Sequence, residues 1–177
     1  CANSGAVAYY PDMWLDMVRP GILLYGLTEM AEELGLKSVM SLKTCVSTIK
    51  IYEPGAAISY GRTYKTDRRS RVGVLPIGYA DGFFRTFSNR FQVLTADGPA
   101  LVLGRICMDM CMIDLTGCPN VGVGDEIEIF GARNSVNAMA RMAETIPYEI
   151  ICAVSKRVPR LYYRGGQVVD RKLWITE

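Results

Sequence analysis

The chain has 177 residues, half of them apolar, and its 20 Lys and Arg against 18 Asp and Glu leave a net charge of +2. A core of ordinary size is within reach, whereas a polyanion-binding surface, a disordered acidic tail and a membrane helix of roughly 20 apolar residues find no support. Histidine is absent and the six cysteines, at 1, 45, 107, 111, 118 and 152, form no CxxC pair, so proton transfer falls to Tyr, Lys, Cys or a carboxylate.

From Cys1 to Leu36 the rhythm is loop, strand, helix. A small-residue loop, Asn3-Ser4-Gly5-Ala6, precedes a short apolar strand at Met17 and Val18 that runs into Arg19-Pro20-Gly21; ILLYGLTEMAEELG then reads as one helix ending at Gly35. Pro20 biases Arg19 toward extended backbone and Gly21 lacks a Cβ that would obstruct a ligand, so the amides of Gly21 and Ile22 form a candidate anion seat; a plain strand-to-helix turn is the alternative. Asn3 and Ser4 add an amide side chain and a hydroxyl in a second small-residue loop. Two such loops on consecutive strand-helix units match the end of a (β/α)8 barrel, where phosphate sites form after the last strands.

From Ser41 onward, short runs rich in β-branched and aromatic residues alternate with glycine, as in SLKTCVSTIKIY, RVGVLPIGY, CMIDL and DEIEIF. This part reads as an antiparallel β-barrel or sandwich, with turns at Pro54-Gly55, Asp97-Gly98 and Gly165-Gly166. One helix interrupts it: Ser135 can cap a run in which Val136, Met139, Ala140, Ala143 and Ile146 recur at helical spacing, and Pro147 is read as its stop. The basic stretch Lys65 to Arg71 reads as a solvated loop.

Six motifs in order, NSGA, DMVRPGILLYG, AISYGRTY, LPIGYADGFFR, GRICMDMCMIDL and YEIICAVSKRVPR, resemble the C-terminal half of alanine racemase, a pyridoxal-phosphate enzyme family. The resemblance spans nearly the whole chain. It implies a mainly β fold: a β-barrel-like C-terminal domain over 37–177, preceded over 1–36 by the last strand-helix units of a cofactor-binding (β/α)8 barrel. It also implies a head-to-tail homodimer with shared active sites, and a small amino acid as substrate. The cofactor phosphate would be held by Ser4, Gly21 and Ile22, with Asn3 shaping the loop, and Arg19 would face the pyridine nitrogen without surrendering its proton. Tyr60 is implied as one of two acid/base residues and Met108 as a contact of the substrate carboxylate through its backbone N–H, both serving the partner subunit's site. Tyr79, Arg85 and Arg105 match positions at the substrate entrance. Asp109 and Asp114 read as structural acceptors.

Two departures accompany the resemblance. The lysine that holds the cofactor lies in a VKANAYGHG-like motif near the start of such barrels. None of the six lysines here, at 37, 43, 50, 65, 156 and 172, stands in that context, so the N-terminal barrel half is an expected partner and the chain by itself is expected to be inactive. Lys156 stands where a phosphate-binding tyrosine is common, and a lysine can serve the phosphate as a point charge. That exchange keeps a serine/alanine racemase open as an alternative, and the missing lysine keeps open a non-catalytic β-barrel binding or assembly module. With no signal peptide and no apolar span, the expected location is cytoplasmic, with neither nucleic-acid nor membrane partners.

Overall fold

The computed structural model describes residues 1–174. At the start, β1 (Ala2–Asn3) and β2 (Val18–Arg19) pair in parallel, with Asn3 opposite Arg19. Parallel neighbours need a crossover, supplied by α1 (Ser4–Tyr9) and a 3-10 turn at Pro11–Met13. The Asn3 side chain accepts from the Ala6 N–H at 3.0 Å and caps α1, so the expected NSGA loop is instead a strand end leading directly into a helix.

The expected single helix from Ile22 to Gly35 is divided. A 3-10 turn at Ile22–Tyr25 closes on Gly26, whose φ is +62°, and Thr28 then caps α2 (Glu29–Glu33). Tertiary packing forces the break, because a Cβ at Gly26 would lie 2.1 Å from the Lys37 carbonyl oxygen.

The β part is one antiparallel sheet of β3 (Leu42–Cys45), β4 (Thr48–Tyr52), β7 (Ser70–Leu75), β8 (Gln92–Leu94), β9 (Pro99–Leu103), β10 (Cys111–Asp114) and β11 (Glu126–Phe130), in the order β3-β11-β8-β9-β10-β7-β4. Its outermost strands, β3 and β4, are separated in sequence by Val46 and Ser47 alone, a reach of roughly 10 Å. The sheet therefore curls into a half-barrel that brings the adjoining ends of β3 and β4 together, although these two strands form no ladder. Val46 N–H still bonds to Asp125 O on the β11 side, and Ser47 N–H already bonds to Val74 O on the β7 side.

Strand alternation gives that curled sheet two faces. Cys111 and Ile113 on β10, opposite Leu75 and Gly73 on β7, point inward, where Phe83, Phe87 and Phe91 cluster with ring centroids 5.1 to 5.7 Å apart. Met112 and Val72 take the outer face. The short hairpin β5 (Ala57–Ile58) and β6 (Tyr64–Lys65) lies there, burying Ile58 against Val72 and Leu103, with Tyr64 and Met112 packed around them.

Val136, Met139 and Ala140 of α3 (Val136–Met142) join the inner core. The expected run to Ile146 is shorter, for α3 stops at Met142 with Ala143 as its C-cap; Pro147 does not end that helix but opens a further one, α4 (Pro147–Ala153), since at a first helical position its missing N–H removes no bond. A terminal hairpin, β12 (Arg160–Arg164) and β13 (Gln167–Lys172), turns at Gly165 and Gly166, both at positive φ as expected. All six cysteines are free, and among the described residues no helix is long and apolar enough to cross a membrane. In the basic stretch, Arg68 pairs with Asp114 and Arg69 with Glu53.

Candidate active site

Tyr60 sits in the loop of the β5–β6 hairpin. Three of the residues around it are left-handed: Ser59 (φ +64°), Gly61 (φ +71°) and Arg62 (φ +50°). Such backbone persists in non-glycine residues only when surroundings impose it. Here Ser59 Oγ donates to the Arg105 carbonyl at 2.6 Å, and a Cβ at Gly104 would lie 2.6 Å from the Ile58 carbonyl oxygen. On the other side of Tyr60, a Cβ at Gly61 would come within 2.7 Å of Arg105 Nη1, so the guanidinium lies directly over that glycine. The phenol is thrust outward, 73% exposed, and its hydroxyl makes no hydrogen bond among the described residues.

Met108 is placed by a second close approach. Tyr79 and Ala80 donate their N–H groups to the carbonyls of Cys107 and Met108 at 3.0 and 3.1 Å, fastening the turn at Tyr79–Asp81 onto the loop before β10. Gly78 permits this, for a Cβ there would stand 2.3 Å from both carbonyl oxygens. The Met108 N–H itself has no partner among the described residues.

Together these loops enclose a hollow of about 790 Å³ whose lining includes Tyr60, Tyr79, Arg85, Arg105 and Met108. Those five residues, expected at the site from separate motifs, therefore meet. Also lining it are Ser59, Cys107, Asp109, Met110 and Met112. Of these, Ser59 had a legible signal, since it immediately precedes Tyr60; Met110 and Met112 follow Met108 at strand alternation.

In the network behind the hollow, Asp109 is an acceptor as expected, whereas Arg157 and Asp81 were not expected. Asp81 accepts from Gly78 N–H through one oxygen at 2.8 Å and from Arg157 Nε through the other at 2.7 Å, while Arg157 Nη2 reaches Asp109 at 2.7 Å. The hydrogen bonds to Asp81 and then Asp109 raise the Arg157 pKa further above its ordinary value, so it remains a cation. Asp114 accepts from the Thr116 N–H and pairs with Arg68, a structural role as expected. Beside the hollow, Tyr64 is raised above an ordinary tyrosine by burial, then by the Asp114 and Asp67 carboxylates. Burial, with Cys107 adding to it, pushes the Cys111 thiol far up.

The residues expected to hold a cofactor gather elsewhere. Asn3 and Arg19 are register partners on the parallel pair, and both line a separate hollow of about 380 Å³ that shares no residue with the first. Ser4 Oγ accepts from Gly21 N–H at 2.8 Å, and the Ile22 N–H has no partner among the described residues. Arg19 touches the Cys1 Sγ at 3.1 Å. Lys156 is exposed in the turn after α4 and lines neither hollow.

The family model "Alanine racemase, C-terminal domain" matches residues 39–162. The chain belongs to the alanine racemase family. It is 48% identical to alanine racemase 2 of Oceanobacillus iheyensis, over 97% of this chain and 46% of that protein. It is 46% identical to alanine racemase 1 of Clostridium acetobutylicum, over 98% of this chain and 47% of that protein. The chain thus spans about half the length of the curated relatives it matches. Among solved structures, alanine racemase of Clostridium difficile 630 in complex with cycloserine superposes with a TM-score of 0.92 at 37% identity, covering 98% of this chain and 48% of that one. Alanine racemase from Bartonella henselae, with covalently bound pyridoxal phosphate, gives 0.85 at 32% identity, covering 92% and 46%. The mainly β architecture implied by the motifs is that of these alanine racemases.

Proposed function

We propose that the complete protein interconverts L- and D-alanine, and that this chain supplies the tyrosine acid/base and part of the cofactor's phosphate site. One observation carries the reading: an outward phenol, an unpartnered backbone N–H and two arginines, drawn from motifs up to 48 residues apart, line a single hollow in a member of this family. The four relatives described above are each named as alanine racemases, which favours this over a serine/alanine racemase or a non-catalytic module.

In this reading residues 1–36 belong to the cofactor-binding barrel and 37–177 to the β domain. The parallel pairing of β1 with β2 supports the first assignment, because parallel strands belong to βα units. So does the exposed apolar surface of Trp14, Leu15, Met17 and Leu24, which the rest of a barrel would cover.

The donor set suits pyridoxal phosphate. The Ser4 hydroxyl, which accepts from the Gly21 amide and so has its own O–H to give, and the unpartnered Ile22 amide are neutral donors suited to a phosphate dianion, and Gly21 leaves its approach open. Asn3 holds the turn, Arg19 offers a cation on the neighbouring register position, and Lys156 is available as a point charge. When bound, the cofactor would acidify the α-proton of the amino acid. The residues of this chain then do the rest. Tyr60 exchanges that proton on one face, its loop held in place by the Arg105 guanidinium lying over Gly61. The Met108 N–H and the two arginines orient the carboxylate.

Because the Tyr60 hollow and the Arg19 hollow share no residue within one chain, we assign them to the two halves of sites completed in a homodimer, together with the N-terminal half that carries the cofactor lysine. The location is cytoplasmic in this proposal, consistent with the absence of a membrane-crossing helix among the described residues.

Replacing Tyr60 by Phe in the complete protein tests the reading. Exchange of the α-proton for solvent deuterium should fall by about 10² to 10⁴ in one stereochemical direction, with cofactor absorbance retained. Equal loss of cofactor and activity would refute the acid/base role.

A further inference from the structure

The hollow around Tyr60 contains a charge that its proposed substrate should not tolerate. Arg85 and Arg105 suit an incoming carboxylate, but Asp109 lies between Met108 and Met110 on the same lining and is the single acidic residue there. Its carboxylate is 57% exposed, so a substrate carboxylate beside the Met108 N–H would meet it through solvent.

One group offsets that charge. Arg157 Nη2 donates to Asp109 Oδ1 at 2.7 Å while its Nε donates to Asp81 Oδ1 at the same distance. Arg157 is not free to turn away from Asp109, because Asp81 is fixed in turn. Its second oxygen accepts from the Gly78 N–H, its own carbonyl accepts from Ser155 N–H at 3.2 Å, and its side chain is 12% exposed. A planar guanidinium can span two carboxylates along two edges, which an ammonium does not do with the same geometry. The segment bearing Arg157 thus reaches 48 residues back along the chain to the loop bearing Met108.

We infer that Arg157 is a positioning residue of the substrate site: held by Asp81, it neutralises Asp109 and keeps the Met108 loop receptive to a carboxylate. It acts through Asp109 and does not touch the substrate. The inference rests on the racemase reading and deepens it, adding the determinant that makes the hollow select for an anion.

The test uses the complete protein loaded with cofactor, and measures kcat, KM for L-alanine and the thermal midpoint. Arg157→Met should raise KM about three- to tenfold, the effect of one partly screened charge at several ångströms, with a smaller change in kcat. Added salt should narrow that gap by screening the uncovered carboxylate. Adding Asp109→Asn to Arg157→Met should return KM toward the parent value. That double variant still leaves Asp81 without its cation, so a purely structural defect would persist in it and an electrostatic one would vanish. Should Arg157→Met fail to fold, Asp109→Asn alone decides, for it preserves the Arg157–Asp81 pair and should give a KM no higher than the parent's; a rise overturns the inference. An unchanged KM in Arg157→Met, or a double variant no better than the single, also overturns it while the racemase reading stands. No racemisation by the unsubstituted protein would overturn that reading and this inference with it.

Discussion

Gly78 is the position where a single methyl group should separate architecture from activity. Its backbone is extended, with φ −147° and ψ −163°, so alanine would carry no conformational penalty there. The cost is steric. The added Cβ would stand 2.3 Å from the carbonyl oxygens of Cys107 and Met108 and 2.5 Å from the Met108 carbonyl carbon, roughly 1 Å inside normal contact. Backbone on both sides has no rotamer to yield, so the turn and the Met108 loop must separate by about that amount. Separation strains the Tyr79-to-Cys107 and Ala80-to-Met108 hydrogen bonds, now 3.0 and 3.1 Å. Overpacking of this kind costs about 1 to 3 kcal/mol. If the Met108 N–H orients the substrate as proposed, a displacement near 1 Å there costs on the order of 10² in kcat/KM. Thermal unfolding and steady-state racemisation in both directions would measure the two effects. Gly117→Ala is the control, since its added Cβ meets nothing within 4 Å. Gly78→Ala matching both the parent and that control in stability and kcat/KM would refute the claim that this contact sets the Met108 loop.

Further outcomes follow from one partly buried and one fully buried titratable group. Burial, Asp114 and Asp67 raise the Tyr64 pKa in the folded state, so above the ordinary tyrosine value of about 10 the unfolded chain releases a proton that the folded one keeps. Stability then falls as pH rises through that range and is unaffected below it; Tyr64→Phe should flatten the alkaline slope in urea titrations, and an unchanged slope would contradict the assignment. Cys111 is fully buried with its thiol pushed up chiefly by burial, so iodoacetamide at mildly alkaline pH should label it only on unfolding. Labelling of native Cys111 at the rate of the unfolded chain would refute that.

The strands were legible because one face of the sheet is sealed and the other is not. On β10, Cys111 and Ile113 face the core while Met112 and Asp114 do not, and that alternation is written in the residues themselves. A curled, barrel-like sheet is among the expectations from sequence, but its strand order was not legible, for nothing in Val46 and Ser47 says that the strands on either side of them form opposite edges. Pro147 was misread because a proline ends one helix and begins another with equal ease. Gly26 was misread because the carbonyl that excludes a side chain there comes from Lys37, outside any local window. The site divides in the same way. Tyr60, Met108 and the entrance arginines stood within recognisable motifs. Arg157 also stood in one, beside Lys156, yet its importance depends on carboxylates 76 and 48 residues away that only the folded chain brings to it.

The loop that presents Tyr60 supports the two-chain reading on energetic grounds. Left-handed backbone at Ser59 and Arg62 costs of order 1 to 3 kcal/mol at each residue, and a large aromatic ring left 73% exposed returns little of it through burial. Within its own chain the phenol gains no hydrogen bond among the described residues, and the hollow bearing Asn3 and Arg19 lies apart. A backbone held in strain to present an aromatic side chain to solvent makes sense where that side chain's partner arrives from outside. The tight fit of Gly104 against Ile58 and of Arg105 over Gly61 then serves to fix the direction in which the hydroxyl leaves the domain. Relaxing that fit in the complete protein should therefore impair proton exchange at the proposed shared site more than it impairs folding of the β domain.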